Sequence, residues 1–186
     1  SDLADIDSIP DLSASIIKDH GPPYGLVNNA AVGLDGLLLT MHNSEIERVL
    51  RINTLSPIVL TKYLSRPMVN HKRGRIINVS SVVAQTGYRG LTVYAASKAA
   101  LEGFTRSMAR DVGARGITVN CIAPGFIQTE MTSGLGLDAL ERIQRRSALG
   151  RSPYAGEVAG CAVYLLSDAA AGVTGTVITV DAGNTA

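Results

Sequence analysis

Apolar runs that alternate with helical patterns are the feature that most limits how this 186-residue chain can fold. The runs YGLVNNAA, GRIINVSS, GITVNCIAPG and TVITVDAG are apolar at consecutive positions, which is typical of strands buried on both faces. The segments between them have helical spacing. This alternation predicts an α/β fold in three layers, with helices on both faces of a doubly wound parallel sheet. We expect residues 1–186 to form a single domain.

The predicted strands end in polar or turn-forming pairs, namely Asn28–Asn29, Ser80–Ser81 and Pro124–Gly125. Ligands of such sheets bind beyond the carboxyl ends of the strands, which all lie at the same edge. The stretch VYAASKAAL follows the second of these ends and places Tyr94 and Lys98 one turn apart on the same face of a predicted helix. We therefore predict a functional site where these groups meet.

Four motifs resemble those of the short-chain dehydrogenase/reductase family, in the same order. NNAA is similar to the family's N-N-A-G, and Asn53 in RINTLSP is similar to its helix asparagine. INVSS with YAASK is similar to its serine followed by Y-x-x-x-K, and PGFIQT to its P-G-x-x-x-T loop. The resemblance covers nearly the whole chain and implies a Rossmann-like fold. Within the family, GRIINVSSVV and APGFIQTEM are most similar to the corresponding motifs of 3-oxoacyl-acyl carrier protein reductases. Sugar and secondary-alcohol dehydrogenases of the family share these motifs.

The resemblance implies a role for each motif. Tyr94 would protonate the substrate oxygen as hydride reaches the carbon, Ser81 would hydrogen-bond that oxygen, and Lys98 would bind the nicotinamide ribose. Asn53 would hold a water that passes protons to Lys98. The implied catalytic residues are Asn53, Ser81, Tyr94 and Lys98. The implied cofactor-binding residues are Asp2, Leu3, Asn29, Ala30, Tyr94, Lys98, Pro124, Gly125, Ile127 and Thr129.

The tyrosine and the lysine also have a physical reason to be neighbours. A phenol with its ordinary pKa of about 10 is a poor acid or base near neutral pH. The Lys98 ammonium, together with the positive charge of an oxidised nicotinamide, favours phenolate, so we predict that the Tyr94 pKa is lowered. Ordinary roles stay open for other residues, because Ser81 can cap a strand end, Asn53 can be a buried polar group and Gly125 can end a strand.

Composition excludes several function classes. The formal charge of +1 is spread without long runs, so we expect neither nucleic acid nor an anionic membrane as partner. No apolar run reaches the ~18 residues of a membrane helix. Cys121 and Cys161 lie in apolar runs, which indicates buried thiols in a reducing cytoplasm. The histidines His20, His42 and His71 have no ligand spacing, so no metal site is expected.

The family's glycine-rich turn, T-G-x-x-x-G-x-G, does not occur in the sequence. SDLAD resembles the end of the family's third strand, so we expect the domain to be incomplete at its amino end, by about 60 residues that form two strands, two helices and the start of a third strand. Residues in such a segment determine whether a member of the family prefers NADP or NAD. From the resemblance we expect NADPH, with NADH possible.

Three functions are compatible with these features. The first is reduction of a ketone, foremost a 3-oxoacyl thioester on acyl carrier protein, to the 3-hydroxyacyl product. The second is an NAD-dependent sugar, polyol or secondary-alcohol dehydrogenase of the same family. The third is a non-catalytic subunit or fragment that assembles with full-length relatives.

Further expectations concern surfaces and assembly. The resemblance implies a homotetramer that packs through the Asn53 and Tyr94 helices, and a carrier-docking surface at Lys72, Arg73 and Arg115, for which a solvated basic face is an alternative. Residues 128–152, rich in Gly and Ser, are expected to form a mobile substrate lid, in which Gly134 and Gly136 bend and Leu135, Leu137 and Leu140 supply an apolar wall. The loop Val82 to Leu91 is expected to share in substrate specificity.

The helical segment 42–71 contains one position where regular hydrogen bonding must fail. Ser44 and Glu47 predict a capping box at its start. Pro57 has no N–H, so the carbonyl of Asn53 lacks its partner four residues later, and we expect the helix to be distorted there.

Replacing Pro57 with Ala should restore a regular helix and slow turnover, because the freed carbonyl of Asn53 would lose its water. The helix geometry can be determined by crystallography and the turnover number by steady-state kinetics. An unchanged rate together with unchanged geometry would contradict the hypothesis.

Overall fold

Four parallel strands form the sheet in the computed structural model, which describes residues 2–128 and 137–186 and gives only the backbone of residues 137–140. The strands are β1 (Gly25–Asn28), β2 (Gly74–Val79), β3 (Ile117–Pro124) and β4 (Val177–Val180), and they lie side by side in that order. In register, Asn28 lies opposite Asn78, and Pro124 lies opposite Val180. The predicted parallel α/β sheet is therefore confirmed.

Helices cover both faces of this sheet. They are α1 (Ile9–His20), α2 (Asn43–Leu50), α3 (Ser56–His71), α4 (Val83–Thr86), α5 (Thr92–Val112), α6 (Leu137–Arg146) and α7 (Ala155–Leu166). Side chains alternate between the faces of a strand. Ile76 accordingly packs with Leu64 and Met68 of α3 on one face, and Ile77 packs with Leu165 of α7 on the other. These two apolar cores produce the three predicted layers.

The helical segment 42–71 is interrupted where Pro57 predicts a distortion. Residues Arg51–Leu55 form a π-helical turn between α2 and α3, in which the N–H of Ser56 donates to the carbonyl of Arg51. The predicted capping box was wrong in register. Glu45, not Glu47, accepts a hydrogen bond from the backbone N–H of His42, at 2.9 Å, because the residue that caps the helix is His42, two residues before Ser44.

The segment expected to be a mobile lid contains helix α6. Thr129, Gly134, Leu135 and Gly136 lie outside the described residues, as do the side chains of Leu137 and Leu140. Among the described residues, no helix is both long and apolar enough to cross a bilayer.

Residues Asp181–Thr185, called the hook below, turn sharply after β4. The buried Asp181 carboxylate accepts hydrogen bonds from the backbone N–H of Gly183 at 2.9 Å and from the N–H and hydroxyl of Thr185 at 2.8 and 2.7 Å. Burial acts to raise the pKa of Asp181, but these hydrogen bonds hold it below its ordinary value. The turn requires two residues with positive φ, Ala182 at 58° and Gly183 at 76°.

Replacing Ala182 with Gly should stabilise the protein by up to about 1 kcal/mol. A left-handed conformation costs an L-residue roughly 1–2 kcal/mol, and glycine avoids this cost. About half of the gain is offset because glycine has more conformational entropy in the unfolded chain. The free energy of unfolding in urea measures the effect.

Two variants serve as controls for this prediction. Gly183→Ala should destabilise the protein, because a Cβ there would lie 2.6 Å from the Cβ of Ala148. Ala171→Gly should not stabilise it, because Ala171 has φ of −59°. A loss of stability in Ala182→Gly would show that the hook carries no such strain.

Candidate active site

Ser81 and Tyr94 meet at the wall of a large cleft beyond the carboxyl ends of β2 and β3. Ser81 follows β2, Tyr94 lies in the first turn of α5, and their side chains are close enough for the Ser81 hydroxyl to affect the pKa of Tyr94. The cleft has a volume of about 870 Å³, and both residues line it. The predicted meeting of these two groups is what the structure shows.

Lys98 lies one turn further along α5 and is almost completely buried. Its ammonium donates a 2.7 Å hydrogen bond to the carbonyl of Val79 at the end of β2 and lies 5.7 Å from the centroid of the Tyr94 ring. Burial lowers the pKa of Lys98 to about 8, although the nearby Cys121 acts in the opposite direction. A buried ammonium with a lowered pKa is able to exchange a proton near neutral pH.

The Tyr94 pKa departs from the prediction. Burial raises the pKa of Tyr94 above its ordinary value, and the hydrogen bond with Ser81 opposes this only in part. The predicted lowering by Lys98 was therefore wrong for the chain alone, since the ammonium is directed to the carbonyl of Val79. Tyr94 consequently holds its proton at neutral pH, as a proton donor must.

A network of buried polar groups supports the strand ends beneath the cleft. The Asn28 amide donates to the hydroxyl of Thr61 at 3.0 Å and to the Asn78 carbonyl oxygen at 2.8 Å, and the Asn78 amide donates to Thr105 at 2.9 Å. These bonds join β1 and β2 to α3 and α5. Asn28 thus has the structural role that its sequence position left open.

A second part of the network lies under Lys98. The hydroxyl of Ser80 donates to the buried Glu102 carboxylate at 3.0 Å. Burial, and then the Glu102 charge, raise the pKa of the Cys121 thiol to about 11. Cys121 therefore stays protonated at neutral pH, in line with a structural thiol.

Asn53 is buried in the π-helical turn and clamps the segment after β1. Its side-chain oxygen accepts from the N–H of Val32 at 2.8 Å, and its amide donates to the carbonyl of Val32 at 2.9 Å and to the hydroxyl of Ser97 at 3.2 Å. Ser97 in turn donates to the carbonyl of Tyr94 at 2.7 Å. The side chain of Asn53 is thus a structural link to the Tyr94 helix, and the water on its backbone carbonyl stays a prediction.

A small pocket of about 50 Å³ beside β1 brings together residues predicted to bind a cofactor. Leu3, Asn29 and Ala30 line it with Ile52, whereas Asp2 is exposed and accepts a hydrogen bond from the N–H of Ala4. The hydroxyl of Ser56 also lines this pocket, is buried and has no hydrogen-bond partner among the described residues. Apolar walls around an unpaired hydroxyl fit the edge of an adenine ring. These residues therefore fit one end of a dinucleotide.

The end of β3 supplies the remaining predicted residues. Pro124 is the last residue of β3 and accepts a hydrogen bond from the N–H of Val82 at 3.0 Å. A Cβ on Gly125 would lie 2.6 Å from the Cβ of Asp181, so close packing already explains this glycine. Gly125 and Ile127 line the large cleft, and Thr129 lies outside the described residues.

Several cleft residues were missed from the sequence. The structure places Arg142, Ile143 and Arg146 of α6 in the cleft wall, together with Asn184 and Thr185 of the hook. The spacing of the two arginines in the amphipathic stretch LDALERIQRR was a usable signal, but only a mobile lid was expected there. The expected contribution of the loop Val82 to Leu91 agrees with its position along the cleft.

The predicted carrier-docking residues lie elsewhere. Lys72 and Arg73 precede β2 and Arg115 precedes β3, at the amino ends of the strands and away from Tyr94. Arg73 stacks on the ring of Tyr24, with 4.6 Å between guanidinium and centroid. Their role in docking stays a prediction.

Comparison with known proteins assigns the family. The family profile described as enoyl-(acyl carrier protein) reductase matches residues 1–185. The 3-oxoacyl-[acyl-carrier-protein] reductase of Pseudomonas aeruginosa is 44% identical over 184 residues, which are 97% of this chain and 74% of that protein. The chain belongs to the short-chain dehydrogenase/reductase family.

Other relatives agree with this assignment. The 3-oxoacyl-[acyl-carrier-protein] reductase of Haemophilus influenzae is 41% identical, over 97% of this chain and 75% of its own length. A gluconate 5-dehydrogenase from Burkholderia cenocepacia, solved with NADP and tartrate, superposes with a TM-score of 0.96 at 27% identity and covers 100% of this chain and 73% of its own. A blue fluorescent protein from a metagenomic library, solved with NADPH, superposes with a TM-score of 0.90 at 35% identity. The match covers 100% of this chain and 74% of that protein's chain. The chain is thus a short-chain dehydrogenase/reductase with the fold of this oxidoreductase family.

The buried ammonium predicts a pH dependence of stability. Because the pKa of Lys98 is about 8 in the folded chain and the ordinary lysine pKa is 10.5, the unfolded chain binds more protons between these pH values. The free energy of unfolding should therefore rise with pH in this window by up to about 3 kcal/mol from this group.

Chemical denaturation of wild type and Lys98→Met between pH 7 and 10 isolates this effect. Other titrating groups act equally in both proteins, so the difference between the two free energies should rise with pH above about 8. A difference that is independent of pH would show that Lys98 titrates at its ordinary pKa.

Proposed function

We propose that this protein reduces a ketone to a secondary alcohol with a nicotinamide cofactor, and that its substrate is a 3-oxoacyl thioester carried by acyl carrier protein. One observation carries the proposal. Ser81 and Tyr94 line one cleft that is large enough for a substrate, and the buried Lys98 ammonium lies one helical turn from Tyr94. The relatives at 40% identity or more that are named 3-oxoacyl-[acyl-carrier-protein] reductase support this choice of substrate.

The cofactor supplies hydride when it is bound. Asp2, Leu3, Asn29 and Ala30 would hold its adenine end, where the small pocket fits a ring edge. The residues that would hold its nicotinamide end are Tyr94, Lys98, Pro124, Gly125, Ile127 and Thr129. NADPH is proposed before NADH, because the similar solved structures are described with NADP or NADPH.

The side chains of the site position the substrate oxygen and supply its proton. Tyr94 donates its hydroxyl proton to the substrate oxygen. The proton is present at neutral pH because burial raises the pKa of Tyr94, and the positive charges of Lys98 and of the bound nicotinamide would favour its release. Ser81 hydrogen-bonds the same oxygen and steadies its negative charge. Lys98, with a pKa of about 8, returns a proton to Tyr94, and a water on the carbonyl of Asn53 resupplies Lys98. Each of these residues moves or orients one proton.

A second candidate is the oxidoreduction of a sugar acid. Its support is the close superposition on a gluconate 5-dehydrogenase solved with tartrate. The third candidate, a non-catalytic subunit or fragment, is kept because the glycine-rich turn does not occur in the sequence. Mixing the chain with a full-length relative and finding activity only in the mixture would support it.

Three further features belong to the proposal. Residues 128–152 act as a substrate lid, which the cleft-facing side chains of α6 support. The chain forms a homotetramer, which the exposed Leu50 and Leu55 beside the Asn53 turn support. It works in the cytoplasm, which the two free cysteines support.

Tyr94→Phe should lower the turnover number with a 3-oxoacyl thioester and NADPH by on the order of 10²–10⁴-fold, because it removes only the proton donor. NADPH oxidation followed at a fixed wavelength measures this. Tyr154→Phe is the matched control, since Tyr154 is exposed and its hydroxyl lies outside the cleft-lining set. Full activity in Tyr94→Phe would exclude the proposed mechanism.

A further inference from the structure

Two arginines of α6 line the same cleft as Ser81 and Tyr94. Arg142 and Arg146 are four residues apart, so they lie on one face of the helix, and both are in the cleft wall. Arg145 lies between them in sequence but points elsewhere, where it forms a 2.9 Å ion pair with Glu141. Helix α6 therefore places two of its arginines in the cleft wall, whereas Arg145 lies outside the cleft lining.

The position of these two arginines is fixed by the hook. The amide of Asn184 donates to the carbonyl of Ile143 at 3.0 Å and to the hydroxyl of Ser147 at 3.4 Å. The N–H groups of Ala148 and Leu149 donate to the hook carbonyls at 3.3 and 3.1 Å. These four bonds hold the end of α6 against the hook. The arginines thus occupy a defined place in the cleft wall.

The charges of the cleft favour an anion. Among the described residues that line it, the acidic side chain is Asp35, and the cationic ones are Arg142 and Arg146. The described part of the lining therefore carries a net charge of +1, with both positive charges on the α6 side. Asn184 and Thr185 line the cleft next to α6 and add hydrogen-bonding groups. Guanidinium groups recognise carboxylate and phosphate oxygens through paired hydrogen bonds.

We propose that Arg142 and Arg146 bind an anionic group on the substrate, a phosphate or a carboxylate, which lies in the cleft apart from the carbonyl that reacts. The proposal rests on the proposed ketone reduction at Tyr94, and it names the chemical class of the substrate. Two kinds of substrate carry such a group: a thioester attached to a phosphate-bearing carrier, and a keto sugar acid with its carboxylate. A neutral ketone of the same size does not.

Two pairs of compounds test the proposal, and the members of each pair differ in the anionic group. The first is acetoacetyl-4′-phosphopantetheine with acetoacetyl-pantetheine, which lacks the phosphate. The second is 5-ketogluconate with its amide, which lacks the carboxylate. Isothermal titration calorimetry on the full chain, with and without NADP, measures the binding of each compound independently of turnover.

The wild-type chain should bind the anionic member of at least one pair about tenfold or more tightly than the neutral member. Arg142→Gln and Arg146→Gln should each reduce this preference, and the double variant should remove it. Arg145→Gln is the matched control, because it removes a charge from the same helix outside the cleft, and it should keep the preference. In kinetic assays the loss should appear in KM for the anionic substrate, with kcat unchanged.

The results separate this proposal from the proposed function. A preference in the phosphate pair or in the carboxylate pair supports the site and identifies which anion it binds. Equal binding within both pairs, or an equal loss of preference in Arg145→Gln, overturns it. A preserved binding preference without NADPH oxidation by any of the four compounds would overturn the proposed reduction and leave the anion site in place.

Discussion

The hydrogen bond from the buried Lys98 ammonium to the carbonyl of Val79 is the contact on which the site depends. It joins helix α5 to the carboxyl end of β2, and these two elements carry Tyr94 and Ser81. A buried charge is costly unless it is paired, and the lowered pKa of Lys98 reflects that cost. The protein thus keeps an unfavourable group in its interior at the point where the two reactive hydroxyls have to meet.

Polar groups under the cleft complete this arrangement. A parallel sheet brings all its strand ends to one edge, where backbone groups no longer have strand partners. The bonds among Asn28, Asn78, Thr61 and Thr105 satisfy those side chains and hold β1 and β2 to the helices. The side chain of Asn53 likewise holds the segment that follows β1, through two hydrogen bonds with the backbone of Val32. The rigidity of the site therefore comes from groups that do not face the substrate.

Sequence patterns predicted this architecture well, because the signals are local. Runs of apolar residues placed the strands, and the spacing of Tyr94 and Lys98 placed both on one helical face. The missing N–H of Pro57 located the distortion that appears as a π-helical turn. Each of these inferences uses only neighbouring residues, and none requires knowledge of how distant segments pack.

Two features that the sequence patterns missed depend on packing between distant segments. The direction of the Tyr94 pKa follows from burial and from the orientation of the Lys98 ammonium, neither of which spacing determines. Helix α6 was not predicted within the expected mobile lid, because Gly and Ser dominate the composition of that segment. Its cleft-facing arginines are held by a hook that is about forty residues away in sequence.

The hook has a consequence for the order in which the protein is made. It supplies part of the cleft wall and the bonds that hold α6, yet it follows β4 in the chain. Synthesis proceeds from the amino end, so Ser81, Tyr94 and Lys98 emerge from the ribosome well before residues 181–185. The residues that carry the reactive groups are therefore synthesised first, and the residues of the hook that complete the cleft wall are synthesised after them.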